Sequence, residues 1–322
     1  MRSTARAITV ERMETKTYDV AIIGGGAAGL SAALVLGRAR RRVLVVDAGA
    51  PRNAPAEHMQ GFVSRDGTPP ADLLEAGRAE VRRYGVEIVE DRVVHATAGF
   101  ELRLAGGRSV AARRVLLATG AVDVLPDVPG ARERWGRDFL HCPYCHGWEV
   151  RDQPIGVLAT GPGSVAHAHL LRQWTDDVIL FTDTHPVSAE EHATLAARGI
   201  TVVDGPVQRL VVTDDQLRGV QLADGRVIAR DALFIRPALR AHLDGPAAAL
   251  GCDLDAGGLV RADAEGRTTV TGVWAAGNAT NPRAQVITAA GEGSAVAIAI
   301  NTDLVQDDVA TALRPVVAAS AA

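Results

Sequence analysis

The sequence predicts an α/β protein with two Rossmann-like three-layer domains, the first of them discontinuous in the chain. One observation is an apolar strand, a glycine turn, a helix and a second strand in "YDVAIIGGGAAGLSAALVLGRARRRVLVVDAG". About 130 residues later the same succession starts again at "QPIGVLATGPGSVAHAHLLRQWTDDVILFTD". A third strand, turn and small-residue helix follow in "GVWAAGNATNPRAQVITAAGEGSAVAIAIN". Continuous apolar strands such as Val20–Ile23 are typical of parallel sheets buried on both faces.

This order of elements predicts the domain boundaries. Residues 16–124 and 244–322 are expected to form the first domain, and residues 125–243 an inserted domain of NAD(P)-binding type. Residues 1–15 carry charges throughout and lack an apolar stretch of signal-peptide length, so we expect a disordered N-terminal extension. The Pro- and Gly-rich stretch "APRNAPAEHMQGFVSRDGTPP" is expected to be a long functional loop.

Composition excludes several classes of function. The chain has 322 residues, and 34 basic against 38 acidic side chains give a net charge of −4. Without a basic surplus, nucleic acid and anionic membrane surfaces are not expected partners. No apolar run approaches the roughly 18 residues of a spanning helix. Three cysteines do not make a secreted disulfide scaffold, so a cytoplasmic protein is expected.

The first glycine turn predicts a dinucleotide site. Gly24, Gly26 and Gly29 form G-x-G-x-x-G between a strand and a helix. The first glycine permits the tight turn, the second lets a pyrophosphate approach, and the third brings helix and strand together. The helix N-terminus offers free N–H groups to phosphates. Asp47, at the end of the second strand, is placed to accept a hydrogen bond from a ribose hydroxyl.

"HCPYCHGWEV" holds Cys142 and Cys145, two of the three cysteines. A zinc site needs about four ligands, and only Cys252 and scattered histidines remain to supply them. A structural bridge is a second possibility and a redox-active dithiol a third. The redox interpretation suits the chemistry best, because Pro143 at a first helical position would place Cys142 at a helix start, where a thiol pKa falls.

Four elements in order resemble the low-molecular-weight thioredoxin reductase family of flavoproteins, from Tyr18 to about Leu304. They are "GGGAAG", "ATG" at 118–120, the C-x-x-C and "WAAGNATNPRAQVITAAGEG". The resemblance implies FAD in the first site and a homodimer. Asn278 stands where such proteins usually carry an Asp against the ribityl chain, and the backbone of Gln285 and Val286 is expected at the flavin pyrimidine. The FAD-binding residues predicted in this way are Gly24, Gly26, Ala27, Ala28, Gly29, Asp47, Ala48, Arg52, His58, Val93, Ala118, Thr119, Gly120, Gly277, Asn278, Gln285 and Val286.

The resemblance also assigns roles around the dithiol. It implies that Cys145 is the sulfur nearest the flavin and that Cys142 exchanges with substrate. His146 stands where thioredoxin reductases usually have an acidic residue and could shuttle the thiol proton. The alternative is that His146 is a polar helix-start residue without a catalytic role. His141 is expected to be a neighbour rather than a catalyst.

The second glycine turn departs from the family pattern. Gly161, Gly163 and Ala166 retain G-x-G-x-x-A, but "LFTDTHPVSAEE" lacks the His-Arg-Arg cluster that grips the 2′-phosphate of NADPH. Asp183 would repel that phosphate, although its spacing could serve NADH. "ALFIRPALRAH" lacks the second small-residue turn that nicotinamide-binding relatives have. We therefore expect a domain without a functional NADPH site, and binding of NADH is left as an alternative.

This departure, with "CPYCHG" and "EHMQGFVSRDG", resembles the FAD-dependent dithiol oxidases of gliotoxin and holomycin type. The resemblance implies electron flow from a small-molecule dithiol through the C-x-x-C and FAD to dioxygen. The products would be an intramolecular disulfide and hydrogen peroxide, as in antibiotic biosynthesis. The alternatives are an NAD(P)H-dependent thioredoxin reductase-like enzyme and a flavin-binding redox sensor or scaffold. The identity of the dithiol does not follow from the resemblance.

Overall fold

The computed structural model describes residues 16–242 and 245–320. The predicted extension, residues 1–15, and the predicted domain boundary at residues 243–244 lie outside the described residues. The division into a discontinuous first domain and an insert therefore stays a prediction at its boundaries.

The first part of the chain alternates strands and helices. In order it forms β1 (Lys16–Ile23), α1 (Ala27–Arg38), β2 (Val43–Asp47), α2 (Pro70–Arg82), β3 (Glu87–Glu90), β4 (Val93–Ala96), β5 (Glu101–Leu104), β6 (Ser109–Leu117) and β7 (Val122–Val124). The last part of the chain, which follows the middle part described below, forms three elements. These are α7 (Pro246–Ala249), β17 (Val273–Ala275) and α8 (Val286–Ser320).

Strands β1 to β6 and β17 build one seven-stranded sheet, in the order β3-β2-β1-β6-β5-β4, with β17 also paired to β6. Strands β1, β2, β3, β6 and β17 run parallel, whereas β5 and β4 continue the sheet antiparallel. Alternate residues of β1 face opposite layers, because side chains alternate along a strand. Val20 and Ile22 pack with Leu36 of α1 and Ile300 of α8, and Ala21 packs on the other face.

The two long helices on that sheet meet at small residues. A Cβ added to Gly293 of α8 would lie 2.0 Å from the carbonyl oxygen of Ala28 in α1. Only glycine permits so close an approach of two backbones. Leu36 of α1 and Ile300 of α8 are fully buried in the core cluster that the two helices share. Each buried side chain of this size stabilises the fold by about 1.5–3 kcal/mol, so the packing of α1 and α8 in this core contributes to the stability of the first sheet.

The middle part of the chain forms a second, smaller sheet. Its elements are α3 (Ala131–Arg134), β8 (Phe139–Leu140), α4 (Pro143–His146), β9 (Ile155–Leu158), α5 (Ser164–Leu171), β10 (Val178–Phe181), α6 (Ala189–Ala197), β11 (Thr201–Val203), β12 (Val207–Thr213), β13 (Gln216–Leu222), β14 (Val227–Ala229), β15 (Ala232–Phe234) and β16 (Ala238–Arg240). The parallel sheet has the order β11-β10-β9-β15-β8, and β12, β13 and β14 form a separate antiparallel sheet. The predicted α/β class is confirmed.

A two-stranded ribbon joins the two parts. Strand β7 leaves the first sheet and pairs antiparallel with β16, which returns from the second. Val122 lies opposite Arg240, and Val124 lies opposite Ala238. The chain therefore crosses between the sheets twice at one place. Across residues 16–242 and 245–320, no helix has both the length and the apolar character that crossing a membrane requires.

Candidate functional site

The first glycine turn forms an open cradle at the carboxyl edge of β1. A Cβ on Gly24 would lie 2.2 Å from the carbonyl oxygen of Ala118, and one on Gly29 would lie 1.9 Å from that of Gly24. A Cβ on Gly26, by contrast, would meet nothing within 4 Å. Gly26 precedes α1 and provides no side-chain cap, so the first N–H groups at Ala27 and Ala28 face this space. The cradle fits a pyrophosphate, because backbone atoms occupy the space beside Gly24 and Gly29, whereas the space beside Gly26 is open to a ligand.

The carboxylate predicted for the ribose lies beside the cradle. Asp47 ends β2, and its Oδ2 accepts a hydrogen bond from Arg78 Nη2 at 2.8 Å. The same carboxylate lies 2.6 Å from the position of a Cβ on Gly25. Arg78, which the sequence did not single out, therefore holds Asp47 in place from α2. The next residue, Ala48, is exposed.

Two further segments predicted to bind FAD meet the cradle at the same edge. Ala118 follows β6, and its N–H donates to the carbonyl of Ile23 at 2.9 Å. Gly120 has a φ of 67° and open space at its missing Cβ. After β17, Gly277 turns the chain with a φ of 70°, and a Cβ there would lie 3.1 Å from that of Ala28. Parallel strands bring all three turns together because their carboxyl ends share one edge.

Glu292 of α8, which sequence reasoning missed, holds the last turn. Its Oε2 accepts from the N–H of Gly277 at 2.9 Å, and its Oε1 accepts from Asn281 Nδ2 at 2.6 Å. The Nδ2 of Asn278 donates to the carbonyls of Asn281 and Ala284 at 2.9 and 3.0 Å. These bonds fix the segment that leads into α8. A glutamate nearly two helical turns into α8 carries no sequence signal of this role.

Arg52 connects the flavin side of the predicted site to the ribbon. Its guanidinium pairs with Asp123 of β7 through Nε at 2.8 Å and Nη2 at 2.6 Å. Its Nη1 donates to Asn278 Oδ1 at 3.3 Å, and its Nη2 lies 3.4 Å from His141 Nδ1. The neutral Asn278 thus orients its amide oxygen to this cation.

The two cysteines of the C-x-x-C are bonded to each other. Cys142 and Cys145 form a disulfide with their Cα atoms 5.2 Å apart. As predicted for a helix start, Cys142 is the N-cap of the one-turn α4 and Pro143 follows at its first position. The N–H groups of Cys145 and His146 both donate to the Cys142 carbonyl at 3.1 Å. Among the described residues no group of three or more His, Cys, Asp and Glu side chains could hold a metal ion.

The disulfide lies against the segment that precedes α8. The amide Nε2 of Gln285 is 3.9 Å from Cys142 Sγ. On its other side, Oε1 of Gln285 lies 3.7 Å from the position of a Cβ on Gly61, in the long loop. The loop, Gln285 and Cys142 are therefore neighbours. Val286, predicted with Gln285 to meet the flavin, begins α8.

Exposed aromatic rings flank the disulfide, and sequence reasoning missed them. Tyr144 and Trp148 are 64% and 65% exposed. The Tyr144 ring meets Trp174 edge to face at 5.7 Å, and Arg151 lies over Trp148 at 4.1 Å. Large exposed aromatic rings beside a reactive group are typical contact surfaces for ligands. Their positions, Tyr144 within the C-x-x-C motif and Trp148 shortly after it, are the sequence feature that could have indicated this surface.

Three histidines near the disulfide have lowered pKa values. Burial, reinforced by Arg52, lowers the pKa of His141 to about 4. His167 of α5 stacks on His141 at 6.4 Å, and burial lowers its pKa to about 4 as well. Burial also lowers the pKa of His146, against the opposing charge of Glu149. His146 is therefore neutral at neutral pH and able to accept a proton.

The exposed side chain of Arg236 lies over the second glycine turn. Arg236 follows β15, and its Nη1 lies 2.3 Å from the position of a Cβ on Gly163, which has a φ of 94°. Thr160 Oγ1 donates to the Arg236 carbonyl at 3.0 Å. Ser164 Oγ closes the turn by donating to Gly161 O at 2.8 Å. The guanidinium thus lies on the surface that a dinucleotide pyrophosphate approaches in this fold.

The acidic residues after β10 have structural partners. Asp183 Oδ1 accepts a hydrogen bond from the N–H of Val207 at 2.8 Å. Glu191 forms a capping box with Ser188 at the start of α6. One oxygen of Asp183 is therefore used within the protein, although the sequence spacing suggested an NADH ribose.

The remaining predicted FAD residues differ in their surroundings. His58 is exposed in the long loop, and Thr119 is half-buried in the turn after β6. The Val93 side chain is buried in the core with Leu44 and Leu117. Their contacts with FAD stay predictions.

Comparison with known proteins identifies relatives over most of the chain. Residues 18–293 match the model of the family described as "Pyridine nucleotide-disulphide oxidoreductase". A protein named thioredoxin reductase sirT from Leptosphaeria maculans is 33% identical over 316 residues, 91% of this chain and 96% of that protein. The crystal structure of HlmI is similar with 53% identity and a TM-score of 0.89, covering 94% of this chain and 97% of that one. An oxidoreductase from Agrobacterium tumefaciens has 39% identity and a TM-score of 0.85, over 90% of this chain and 99% of that chain.

Proposed function

This chain belongs to the pyridine nucleotide-disulphide oxidoreductase family, and from that premise we propose that it is an FAD-dependent dithiol oxidase. It is an oxidoreductase of thioredoxin reductase-like type that acts on sulfur groups. The proposed substrate is a small-molecule dithiol, and the proposed products are its intramolecular disulfide and hydrogen peroxide. A natural product of the gliotoxin or holomycin kind, formed in antibiotic biosynthesis in the cytoplasm, is the substrate class that the sequence resemblance suggests.

The observation that carries this proposal is Arg236 over the second glycine turn. The guanidinium lies where the pyrophosphate of NADH or NADPH would approach Gly163. Asp183 adds a negative charge where the 2′-phosphate of NADPH would lie, and its bond to Val207 uses one of its oxygens. A protein that does not receive electrons from nicotinamide must receive them from another donor. A substrate dithiol that reacts with Cys142 is the donor that the disulfide accommodates.

Residues of this chain perform the thiol chemistry. One substrate thiolate attacks Cys142 Sγ, the Cys142–Cys145 bond breaks, and Cys145 leaves as a thiolate. His146, neutral because burial lowers its pKa, accepts the proton of the substrate thiol. The second substrate thiolate attacks the substrate sulfur of the mixed disulfide, the product disulfide forms, and Cys142 leaves as a thiolate. The two electrons that the substrate dithiol lost in forming its disulfide now reside on Cys142 and Cys145, whose disulfide bond has been reduced.

The first site is proposed to hold FAD. The open cradle at Gly26, the N–H groups of α1 and Asp47 fit its pyrophosphate and ribose, and the turns at Gly120 and Asn278 lie at the same edge. When bound, FAD supplies the two-electron acceptor for the dithiol, and dioxygen takes the electrons onward to give hydrogen peroxide. Arg52 positions the Asn278 amide on that side.

The long loop and the aromatic rings support a small substrate. Gly61 of the loop, Gln285 and Cys142 are neighbours, so a molecule that reaches Cys142 from this side passes the loop. Tyr144 and Trp148 offer exposed rings on the same short segment as the disulfide. Such rings suit an apolar or planar dithiol.

An anaerobic titration tests the proposal. Dithiothreitol, NADH and NADPH are added separately to the FAD-loaded protein, and the visible flavin absorbance is followed. We expect rapid bleaching by the dithiol alone, loss of that bleaching in Cys142→Ser and Cys145→Ser, and no loss in Cys252→Ser, which alters the buried cysteine outside the pair. Air should then restore the absorbance with one hydrogen peroxide formed per disulfide.

The second candidate is an NAD(P)H-dependent disulfide reductase. It is favoured by the name thioredoxin reductase that the sirT relative carries and by 33% identity to it. In the same titration this candidate predicts rapid bleaching by NADPH or NADH and none by dithiothreitol, and that result would reject the oxidase. A protein that retains no flavin on purification would favour the redox-sensor or scaffold alternative.

We also propose that the protein is a homodimer. The exposed apolar side chains of helix α8 include Ile298, Val305, Val309 and Leu313. Their spacing of seven, four and four residues places them along one side of the helix. An exposed apolar stripe of this kind fits a second copy of the chain, which the family resemblance implies. Light scattering should give a dimer mass that Val305→Glu with Val309→Glu reduces to that of a monomer.

A further inference from the structure

Gln285 occupies a fixed position beside the disulfide. It is the residue before α8, and its carbonyl accepts the N–H of Ala289 at 2.8 Å as the helix begins. Its side chain extends from this anchored backbone to place Nε2 3.9 Å from Cys142 Sγ. Gly61 borders the amide oxygen on the other side. The amide therefore lies between the long loop and the sulfur that exchanges with substrate.

We propose that Gln285 is a catalytic residue whose amide N–H stabilises the negative charge on Cys142 Sγ each time that sulfur becomes a thiolate. A hydrogen bond from an N–H group to an anion is roughly twice as strong as one to a neutral acceptor. The contact of 3.9 Å to the oxidised, uncharged sulfur shortens as charge develops, in the way that catalytic hydrogen bonds tighten during reaction. The observed contact of the amide is with Cys142, the sulfur proposed to exchange with substrate.

Other groups near Cys142 do not supply this donor. Helix α4 has four residues, and the N–H groups of Cys145 and His146 are bonded to the Cys142 carbonyl rather than to its sulfur. Within the described residues, Gln285 is the side chain that reaches a sulfur of the pair with a hydrogen-bond donor. Its amide carries no charge, so it favours the thiolate without forming a permanent ion pair.

The donor acts on a defined bond-breaking step. When the second substrate thiolate attacks the mixed disulfide, a substrate S–S bond forms and the bond from substrate sulfur to Cys142 Sγ breaks. The electron pair of that bond goes to Cys142, which leaves as a thiolate. A better-stabilised leaving thiolate leaves faster. The same charge forms on Cys142 when the pair reacts in the reductive direction, so this inference does not depend on the electron acceptor.

Alkylation of Cys142 tests the inference separately from turnover. In a Cys145→Ser background, the rate of reaction with iodoacetamide is measured against pH and the modified residue is located by mass spectrometry. Gln285→Leu preserves the size of the side chain and removes the donor, and Gln285→Glu replaces it with a negative charge. We expect the Cys142 pKa to rise by about one unit with Leu, equivalent to roughly tenfold less thiolate below that pKa, and further with Glu.

Matched controls separate this role from a structural one. Arg283→Ala alters an exposed residue two positions away and should leave the alkylation profile unchanged. The profile is recorded with and without flavin, since Gln285 is also expected near that cofactor. An unchanged Cys142 pKa in both Gln285 variants would overturn the inference, even if their flavin content or thermal stability fell. Rapid flavin reduction by NADPH would overturn the oxidase proposal and leave this result standing.

Discussion

The guanidinium of Arg52 holds the carboxylate of Asp123 by two hydrogen bonds, from Nε to Oδ2 at 2.8 Å and from Nη2 to Oδ1 at 2.6 Å. This two-point pair joins the loop after β2 to the first strand of the ribbon between the sheets. The same cation also contacts Asn278 and His141. One side chain thus links the loop, the ribbon, the turn before α8 and the segment of the disulfide.

Breaking the Arg52–Asp123 pair is expected to destabilise the protein. The Asp123 side chain is 9% exposed, so Arg52→Gln leaves a nearly buried carboxylate without its counter-charge. Removing one partner of a buried pair costs about 3–5 kcal/mol, and we expect about 3 kcal/mol here because Arg52 is partly solvated. The free energy of unfolding is measured by urea titration.

The double variant shows whether the pair itself is responsible. Asp123→Asn in the Arg52→Gln background removes the unpaired charge and should recover about 1–2 kcal/mol. Arg65→Gln, an exposed arginine of the same loop, is the matched control and should change stability by less than about 0.5 kcal/mol. Strictly additive effects at positions 52 and 123 would contradict this account.

Substitution by alanine is expected to impair FAD retention at Gly26 and stability of the fold at Gly29. Gly26→Ala places its Cβ in open space at a φ of −78°, so the fold without cofactor should keep its melting temperature. FAD retention should fall by about tenfold or more, because the methyl group occupies the space of the pyrophosphate. Gly29→Ala would place a Cβ 1.9 Å from the carbonyl oxygen of Gly24 and should lower the melting temperature itself.

The comparison is made by thermal unfolding of the flavin-free proteins and by flavin absorbance after reconstitution. Gly67→Ala provides a check on a glycine outside the cradle, although its φ of 75° makes some loss of stability expected. Full FAD binding by Gly26→Ala would mean that the cofactor does not lie on the N-terminus of α1.

Arg236 is expected to decide whether the second sheet binds a nicotinamide dinucleotide. Arg236→Ala uncovers the Gly161–Gly163 turn, so NADH should bind at least about fivefold more tightly than to the unmodified protein. Quenching of tryptophan fluorescence on addition of NADH measures this change, since Trp174 lies near α5. Arg240→Ala, an exposed arginine on the neighbouring strand β16, should leave the affinity unchanged.

The opposite outcome has an equally definite meaning. If Arg236→Ala weakens NADH binding, the guanidinium is a phosphate ligand rather than a cover, because a cation can also neutralise a pyrophosphate. The reductase candidate would then gain support at the expense of the oxidase.

Local patterns made the fold and the first glycine turn predictable. The strand, G-x-G-x-x-G turn and helix at Val20–Arg38 depend on neighbouring residues alone, and so does the helix start at Cys142. Helix α1 begins at Ala27, directly after the glycine turn, and ends at Arg38, at the start of an arginine-rich stretch. Buried parallel strands are easily recognised because a short continuous apolar run between turn residues is typical of such a strand.

Contacts across long sequence distances were not predictable in the same way. The pair Arg52–Asp123 spans 71 residues, and Gln285 reaches Cys142 across 143 residues. Arg236 lies in "ALFIRPALRAH", where the sequence indicates only that a small-residue turn is missing, although its guanidinium lies over Gly163. Tertiary packing decides such contacts, and one sequence holds no local signal for them.

The stacked pair His141 and His167 is expected to make stability depend on pH. Burial lowers the pKa of His167 to about 4 in the folded protein, from 6.5 as its ordinary value. Between these values the unfolded chain binds more protons, so the free energy of unfolding falls as pH falls through this window. His141, Arg236 and Phe234 surround the ring, and the first two oppose any positive charge on it.

The variant His167→Gln has no titrating group at this position. Between pH 7.5 and pH 5 its free energy of unfolding should therefore fall by about 2 kcal/mol less than that of the unmodified protein. His95→Gln, an exposed histidine on β4, serves as the matched control in urea titrations at both pH values. Parallel losses in the unmodified protein and in His167→Gln would show that His167 is solvated and protonated in the folded state.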